Sequence, residues 1–545
     1  MKIFCLIIFI AFPIMAWGKS EGTVNGFVRD ASNGEPLPYV NVFLQNTQIG
    51  TTTNEKGYYV INRIPPGEYR VIFSMMGYGR HEETVEITSN AAVKVNASLP
   101  PSVLELEGVV KTAERERFVR EVEISTTTLS ARQMRSLPSF AETDLFRTLQ
   151  LLPGVVSRSD FSSQLYVRGG SPDQNLVLLD GVTVYNPFHL LGLFSMFNTD
   201  AVKEVEFITG GFPAEFGGRL SSVLNIVNNE GNSKEFHGRV NISLPSAHAT
   251  LEGPIPRGSY LVSARRTYFD QIFKNTRYDF PYYFYDLQGK VNIDLGGNHR
   301  LTLSGYYGND KLDYDVTSEE EDFQVAIDWL WGNRTASLNW RWLIHPNLFS
   351  EVLLTRSNFA LDLDLELVGD NIAALKLKNG IQDYSIKSDL NYFGLPGHSI
   401  KFGVSQTWYD FLYSFHIDQT PLFNYTNKPA LFALYMQDQW QMNNLWSIRA
   451  GVRVENYDLG SRTRISPRFG AKYHLFPNFA IKGSFGIYHQ FLTTAASDNQ
   501  NFSFIDLWFP LSQKYKPLGA IHYVAGFEWW LPGDLILTCE GYYKT

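Results

Sequence analysis

From about residue 235 to Thr545, apolar and polar side chains alternate with a period of two, segment after segment. Ala336, Leu338, Trp340 and Trp342 alternate with Ser337, Asn339 and Arg341. Trp446, Ile448, Ala450, Val452 and Val454 alternate with Ser447, Arg449, Gly451, Arg453 and Glu455. Phe359, Leu361, Leu363, Leu365 and Leu367 alternate with Asp362, Asp364 and Glu366. Successive side chains of a strand point to opposite faces, so each segment has one apolar face and one charged or amide-bearing face. Two arrangements use such segments. One is a soluble antiparallel sheet with one wet face; the other is a membrane barrel with lipid outside and a wet or filled lumen. Open sheet edges cannot lie in lipid, so the second must close on itself. The number of segments and the 14% aromatic content favour the barrel. On this reading Asp362 and Asp364 are lumen charges. Short turns such as Gly296-Gly297-Asn298 and Leu531-Pro532-Gly533-Asp534 suit the periplasmic end. The polar stretches Asp310 to Asp322 and Thr494 to Ser503 suit external loops.

The rest of the composition excludes several classes. A chain of 545 residues with 44% hydrophobic and 19% charged residues is folded, in several domains or one very large one. Met1-Lys2, an apolar run from Ile3 to Met15 and Ala16-Trp17-Gly18 form a secretory signal over residues 1–18. Cys5 lies inside it, which leaves Cys539 alone and excludes a disulfide framework. The net charge of −8 argues against a nucleic-acid partner. No later stretch approaches the ~20 apolar residues of a spanning helix. No GxSxG, P-loop or Cys–His signature is present, and no His, Cys and Asp cluster has metal-ligand spacing. The expectation is a non-enzyme with no catalytic residues, cofactor or metal.

Residues 22–100 read as short strands punctuated by turns: Val24 to Val28, Tyr39 to Leu44, Tyr58 to Ile61 and Tyr69 to Phe73, with Asn54-Glu55-Lys56-Gly57 and Pro65-Pro66-Gly67 between them. Six or seven strands in that length suggest a β-sandwich. The blocks VNGFVRDASNGEPLPYVNVFL and GTTTNEKGYYVINRIPPGEYRVIFSMMGY resemble the carboxypeptidase regulatory-like, transthyretin-like domain. In enzymes of that name the domain accompanies a zinc peptidase. None of the eleven His has a Glu three residues on, and none begins HExxH, so the sandwich is an appendage to something else.

Residues 101–122 form a linker, with an extended-type stretch Leu104 to Thr112 that could pair with a partner's sheet edge. A plug-like segment follows over 123–230. Leu145, Leu149 and Leu152 give a helical face within Ala141 to Leu152, stopped by Pro153-Gly154. LYVRGGSPDQNLVLLDGVTVYN reads as strand, Gly-Gly turn, buried strand, Asp180-Gly181 turn and strand. AVKEVEFITGGFPAEFGGRLSSVLNIV repeats the scheme with Gly210-Gly211 and Gly217-Gly218.

In order, these blocks closely resemble the plug domain of TonB-dependent outer-membrane receptors, in a Bacteroidetes-type form with an N-terminal carboxypeptidase-like domain. The resemblance implies a mainly β protein: the sandwich, a small α/β plug and an antiparallel transmembrane β-barrel over 235–545. It makes Glu105, Leu106, Glu107, Gly108, Val109, Val110 and Lys111 a TonB box. The plug-motif residues are Arg168, Gly169, Gly170, Asp180, Gly181, Gly210, Gly211, Gly217, Gly218 and Arg219. It further implies a cell outer-membrane location with the N-terminal domain periplasmic. The implied partners are the TonB protein of the inner-membrane energising complex, outer-membrane lipid, an unknown nutrient ligand and, with weaker support, a surface lipoprotein. The implied function is import of a scarce nutrient driven by proton-motive force. The alternatives are a signalling receptor or an adhesin-like binding protein without transport. Large plugged transporters have about 22 strands, whereas these residues supply about 12 to 17 and end without the usual terminal aromatic, so the barrel is expected to be incomplete. The aromatic segment YNPFHLLGLFSMF makes Tyr185, Phe188, His189 and Phe194 candidates for substrate contact at the plug apex. Packing in the plug core is the competing reading.

Overall fold

The computed structural model describes residues 21–545 except 48, 76, 90, 103–117, 119–121, 123, 138–141, 160–161, 275–280, 319–322, 369–372, 419, 460–461, 496–506 and 532–534. The signal-peptide and TonB-box readings therefore fall outside the described residues.

The N-terminal β-branched runs fold into two facing four-stranded sheets. In one, Gly22–Asp30 pairs with Tyr58–Ile64, Ala92–Lys94 and Ala97–Leu99; in the other, Asn41–Leu44 and Gly67–Ser74 are flanked by Gly50–Thr52 and His81–Ile87. Alternate residues Val24, Val28, Val42, Leu44, Val71 and Phe73 are fully buried between them. Each such side chain is worth roughly 1.5–3 kcal/mol of transfer free energy. The sandwich thus has eight strands, one or two more than the turn pattern suggests.

The plug is a five-stranded sheet in the order Val182–Thr183, Asn175–Leu179, Ser222–Asn228, Val202–Ile208, Thr126–Ser130. The two central strands are parallel, so the chain between them must cross over the sheet, and the aromatic segment 185–201 begins that crossover. The expected helix is confined to Leu145–Leu149, where Asp144 caps it by accepting from the Arg147 amide. At Asp180-Gly181 both φ are positive, +48° and +81°, as a two-residue hairpin requires. In the RGG block the turn residues are Arg168 and Gly169, with φ of +47° and +80°, so the turn lies one position earlier than the glycine pair implies. A Cβ on Gly181 would sit 2.8 Å from Leu353 of the barrel wall. Gly181→Val combines backbone strain with that clash and is expected to destabilise the chain by about 1–3 kcal/mol, read as a lower denaturation midpoint.

Sixteen further strands form one antiparallel sheet running from His237–Ile242 to Leu535–Lys544 around the plug. Among the described residues no ladder joins these two edge strands. Short turns gather at one end, and there the sandwich docks. Tyr58 donates to Pro346 O at 2.5 Å, Asn62 to Phe393 O at 2.5 Å and Lys94 to Asn298 Oδ1 at 2.9 Å.

Two sequence expectations change at the other end. Of the expected loop Asp310 to Asp322, residues 310–318 belong to the strand His299–Ser318, the strand Phe323–His345 begins just after it, and 319–322 lie outside the described residues. The second has 23 residues, roughly 75 Å of extended chain and roughly 50 Å in projection if tilted 45°, so it far overreaches an apolar band of about 25 Å. The polarity of the overhang is also inverted. Phe359 and Leu361 are 0% and 3% exposed and face the plug, while Asp362 and Asp364 of the same strand face outward and pair with Lys378 and Lys376 at 2.7 and 3.1 Å. These aspartates are therefore not lumen charges. Beyond the bilayer the outer face meets water, so charge belongs there. Within the bilayer the expected sense holds: Ser447 is buried inside, and Trp446 and Ile481 lie on the outer surface.

Candidate functional site at the plug and its wall

The plug motifs are held by polar contacts to the wall. Arg168 donates to Glu540 at 2.8 Å and to Ser125 Oγ at 2.9 Å, while Glu540 also pairs with Lys482 at 2.8 Å. Asp180 accepts from Lys290 at 2.8 Å and Ser304 at 2.7 Å. The GGFPAEFGGR loop is gripped through its carbonyls. Arg449 donates to Gly211 O at 2.9 Å, Arg453 to Ala214 O at 3.3 Å and Arg468 to Phe216 O at 2.6 Å. A side chain at Gly217 would run into Arg453, with its Cβ 2.2 Å from Nε, so glycine is needed there for close approach. Glu215 of this loop pairs with Lys401 at 2.6 Å. Burial works against the Glu215 carboxylate, but Lys401 and Lys387 hold it below its ordinary pKa.

A second set of contacts joins the plug to the first barrel strands. His189 Nδ1 lies 2.6 Å from Asp310 Oδ2 and Nε2 lies 2.8 Å from Asp286 Oδ1, and the ring stacks on Phe284 at 4.1 Å. A carboxylate on each nitrogen requires both to carry protons. Burial opposes that charge, but Asp286 and Asp310 outweigh it and raise the pKa to about 9. Arg265 continues the network: Nε donates to Asp286 at 2.7 Å, Nη1 to Glu142 at 3.1 Å and Nη2 to Ser195 O at 2.9 Å.

The four apex candidates are all buried. Phe188 packs on Phe146 in the plug core, and Phe194 lies 6.5 Å from Phe284. Tyr185 donates to Asp383 at 2.6 Å and meets Trp508 edge-on at 5.2 Å. Above them, Leu492–Ala495 pairs with Leu507–Pro510; of the expected loop at 494–503, only Thr494 and Ala495 are described, and they lie in this pair. Trp508 Nε1 donates to Asn186 at 3.1 Å, and Arg219 lies over its ring at 4.8 Å. The sequence pattern flagged Arg449, Arg453 and Glu455 only as one polar face. It did not flag Arg265, Asp286, Asp310 or Trp508, whose partners are far away in sequence. Beside the plug sheet a cavity of about 280 Å³, lined by Glu204, Glu206, Asn225, Lys387 and Lys401, leads toward a space of about 1190 Å³ between the sandwich and the barrel rim.

A strand-built wall filled by a small sheet, with a β-sandwich docked at its short-turn end, is the architecture of a plugged β-barrel receptor. Three family models agree: the CarboxypepD_reg-like domain over residues 24–111, the TonB-dependent receptor plug domain over 119–222 and the TonB-dependent receptor-like β-barrel over 235–545. The chain belongs to the TonB-dependent receptor family. The TonB-dependent transporter Oar of Myxococcus xanthus is 27% identical over 240 residues, which are 40% of this chain and 21% of that protein. Among solved structures, the siderophore receptor PirA from Pseudomonas aeruginosa has a TM-score of 0.55 at 15% identity, covering 77% of this chain and 74% of that one. The outer membrane transporter YddB from Escherichia coli gives 0.59 at 13% identity, over 77% and 69%. These likenesses show the fold.

Proposed function

We propose that this chain is an outer-membrane receptor that imports a scarce nutrient into the periplasm, energised by TonB pulling on the stretch 105–111. One observation carries the reading: alongside apolar contacts at Tyr185, Phe212 and Ile124, the plug meets the wall through hydrogen bonds and ion pairs beside a cavity of about 280 Å³. Water can replace such contacts as the plug is pulled, at a net cost of about 1.5–3 kcal/mol for each bond to a charged group, whereas apolar contact resists in proportion to its area. The family membership and the transporter relative Oar support the same reading. The sandwich, docked at the short-turn end, lies in the periplasm, and a surface lipoprotein is a further partner compatible with this architecture.

Deleting 105–111 tests it. TonB-dependent uptake should fall to background while ligand binding to whole cells persists. Uptake that survived the deletion would end the importer reading in favour of passive binding or signalling.

A further inference from the structure

The stretch 105–111 begins three residues after Ser102, and Ser102 belongs to the sandwich: its N donates to Gly77 O at 3.0 Å. From Ser102 to Glu105 the chain reaches at most about 11 Å, whereas from Lys111 to Phe118 on the plug side it reaches about 25 Å. Phe118 is fixed at the barrel rim, its ring 5.0 Å from His474 and 6.1 Å from Trp530. The lead to the sandwich is therefore the shorter, and it comes taut first. The sandwich is in turn fastened to the root of the plug, residues 228–234, which join it to the first barrel strand. Glu35, its side chain 8% exposed, accepts from the Glu230 and Gly231 amides, the second at 3.1 Å. Ser233 N and Oγ donate to Asn33 O at 2.7 and 2.9 Å, and Lys203 of the plug sheet donates to Pro36 O at 2.7 Å. At the rim, Tyr58 packs on Phe349 at 6.0 Å, and Phe349 is 2% exposed.

Mostly polar contacts of this kind suit an interface between domains that opens and recloses. The docked sandwich also walls both spaces beside the plug: Pro36 and Lys56 line the smaller, and Thr51, Asn54 and Asn62 line the larger. We propose that the sandwich is a latch on the periplasmic side: docked, it pins the plug root and walls these spaces, and a pull on 105–111 lifts it off before the plug moves. This rests on the importer reading and names a regulation of that import. The plug root is unlatched without being torn from the wall, because the Glu230 carboxylate is held separately by Arg300 and Arg341, the latter at 3.3 Å. The amides that Glu35 releases are then free to bond water.

The test pulls on the full chain in a lipid nanodisc. Gly108→Cys, in a Cys539→Ser background that removes the exposed thiol, carries a DNA handle for magnetic tweezers. A reversible extension step should precede any loss of the plug. Inserting ten Gly-Ser residues after Ser102 adds roughly 35 Å and makes the sandwich lead the longer one, so that first step should vanish and the plug should yield first. Glu35→Ala should shorten the docked lifetime about tenfold at equal force, with Glu35→Gln, which keeps one acceptor oxygen, as the milder variant if the first fails to fold. With no pull applied, Phe349→Cys in the Cys539→Ser chain should react with a maleimide about tenfold faster in the Glu35→Ala variant, since undocking uncovers it. A plug that leaves before the sandwich in the unextended chain, a first step that survives the insertion, or lifetimes and labelling indifferent to Glu35 would overturn the proposal. No arm uses TonB or a nutrient, so failure of the latch leaves the importer reading standing, and uptake that survives deletion of 105–111 leaves the latch standing.

Discussion

Arg265→Ala is expected to destabilise the plugged barrel by about 3–5 kcal/mol, because it leaves buried carboxylates without their shared cation. Arg265, Glu142 and Asp286 have side chains only 3%, 6% and 3% exposed. Arg265 is the barrel residue that ties the plug through Glu142 and the Ser195 carbonyl while holding Asp286 in place for His189. The loss should appear as a lower denaturation midpoint and faster proteolysis of the plug in the membrane-inserted protein. Arg265→Lys should fall between the two, since an ammonium keeps the charge but cannot reach three acceptors with a planar fork. The triple change Arg265→Met, Glu142→Gln and Asp286→Asn should recover much of the stability, because it removes the stranded charges together. An Arg265→Ala midpoint equal to wild type would show that the network contributes nothing.

The His189 bridge should make plug retention depend on pH in a defined direction. Its folded pKa of about 9 lies above the ordinary imidazole value of 6.5. The stabilisation is therefore complete below about pH 6.5 and is lost as pH rises through about 9. At ~1.4 kcal/mol per pKa unit, the effect is on the order of 3 kcal/mol. Denaturant titrations of the intact chain between pH 6 and pH 10 should show stability falling across that window. His189→Gln, which cannot carry the charge, should flatten the fall and lower stability at pH 6. A wild-type profile that matched the Gln variant across the window would remove the charged bridge from the account.

Much of this was legible in the chain itself. A glycine after Asp180 between two apolar runs marks a hairpin, and both φ angles are positive there. The β-branched alternation of Val24 and Val28 gave a sandwich core, and the RGG, LDGV and GGFPAEFGGR blocks pointed to a plug. Helix limits were less legible: the leucine spacing allowed Ala141 to Leu152, but Asp144 and the packing of Phe146 on Phe188 and Phe197 cut it to one turn and a half. The apex residues looked like possible ligand contacts because they are aromatic. Their burial was invisible, since it depends on Phe284, Trp508 and Asp383, up to some three hundred residues away.

Period-two alternation fixes that a strand has two unlike faces, and local turn chemistry fixes where it reverses. Those two facts, with the order of the plug blocks, settled the β architecture from sequence alone. Alternation carries no sign, however. Nothing in Phe359 to Glu366 says which face looks inward, and the answer differs between Trp446 to Glu455 inside the bilayer and this strand beyond it. Only the tertiary structure decided that, because the solvent outside the wall changes from lipid to water along the barrel's height. The side chains follow the solvent. It likewise decided which wall arginine meets which plug carbonyl, since those pairs are set by the register of sixteen strands wrapped around the plug rather than by neighbours in the chain.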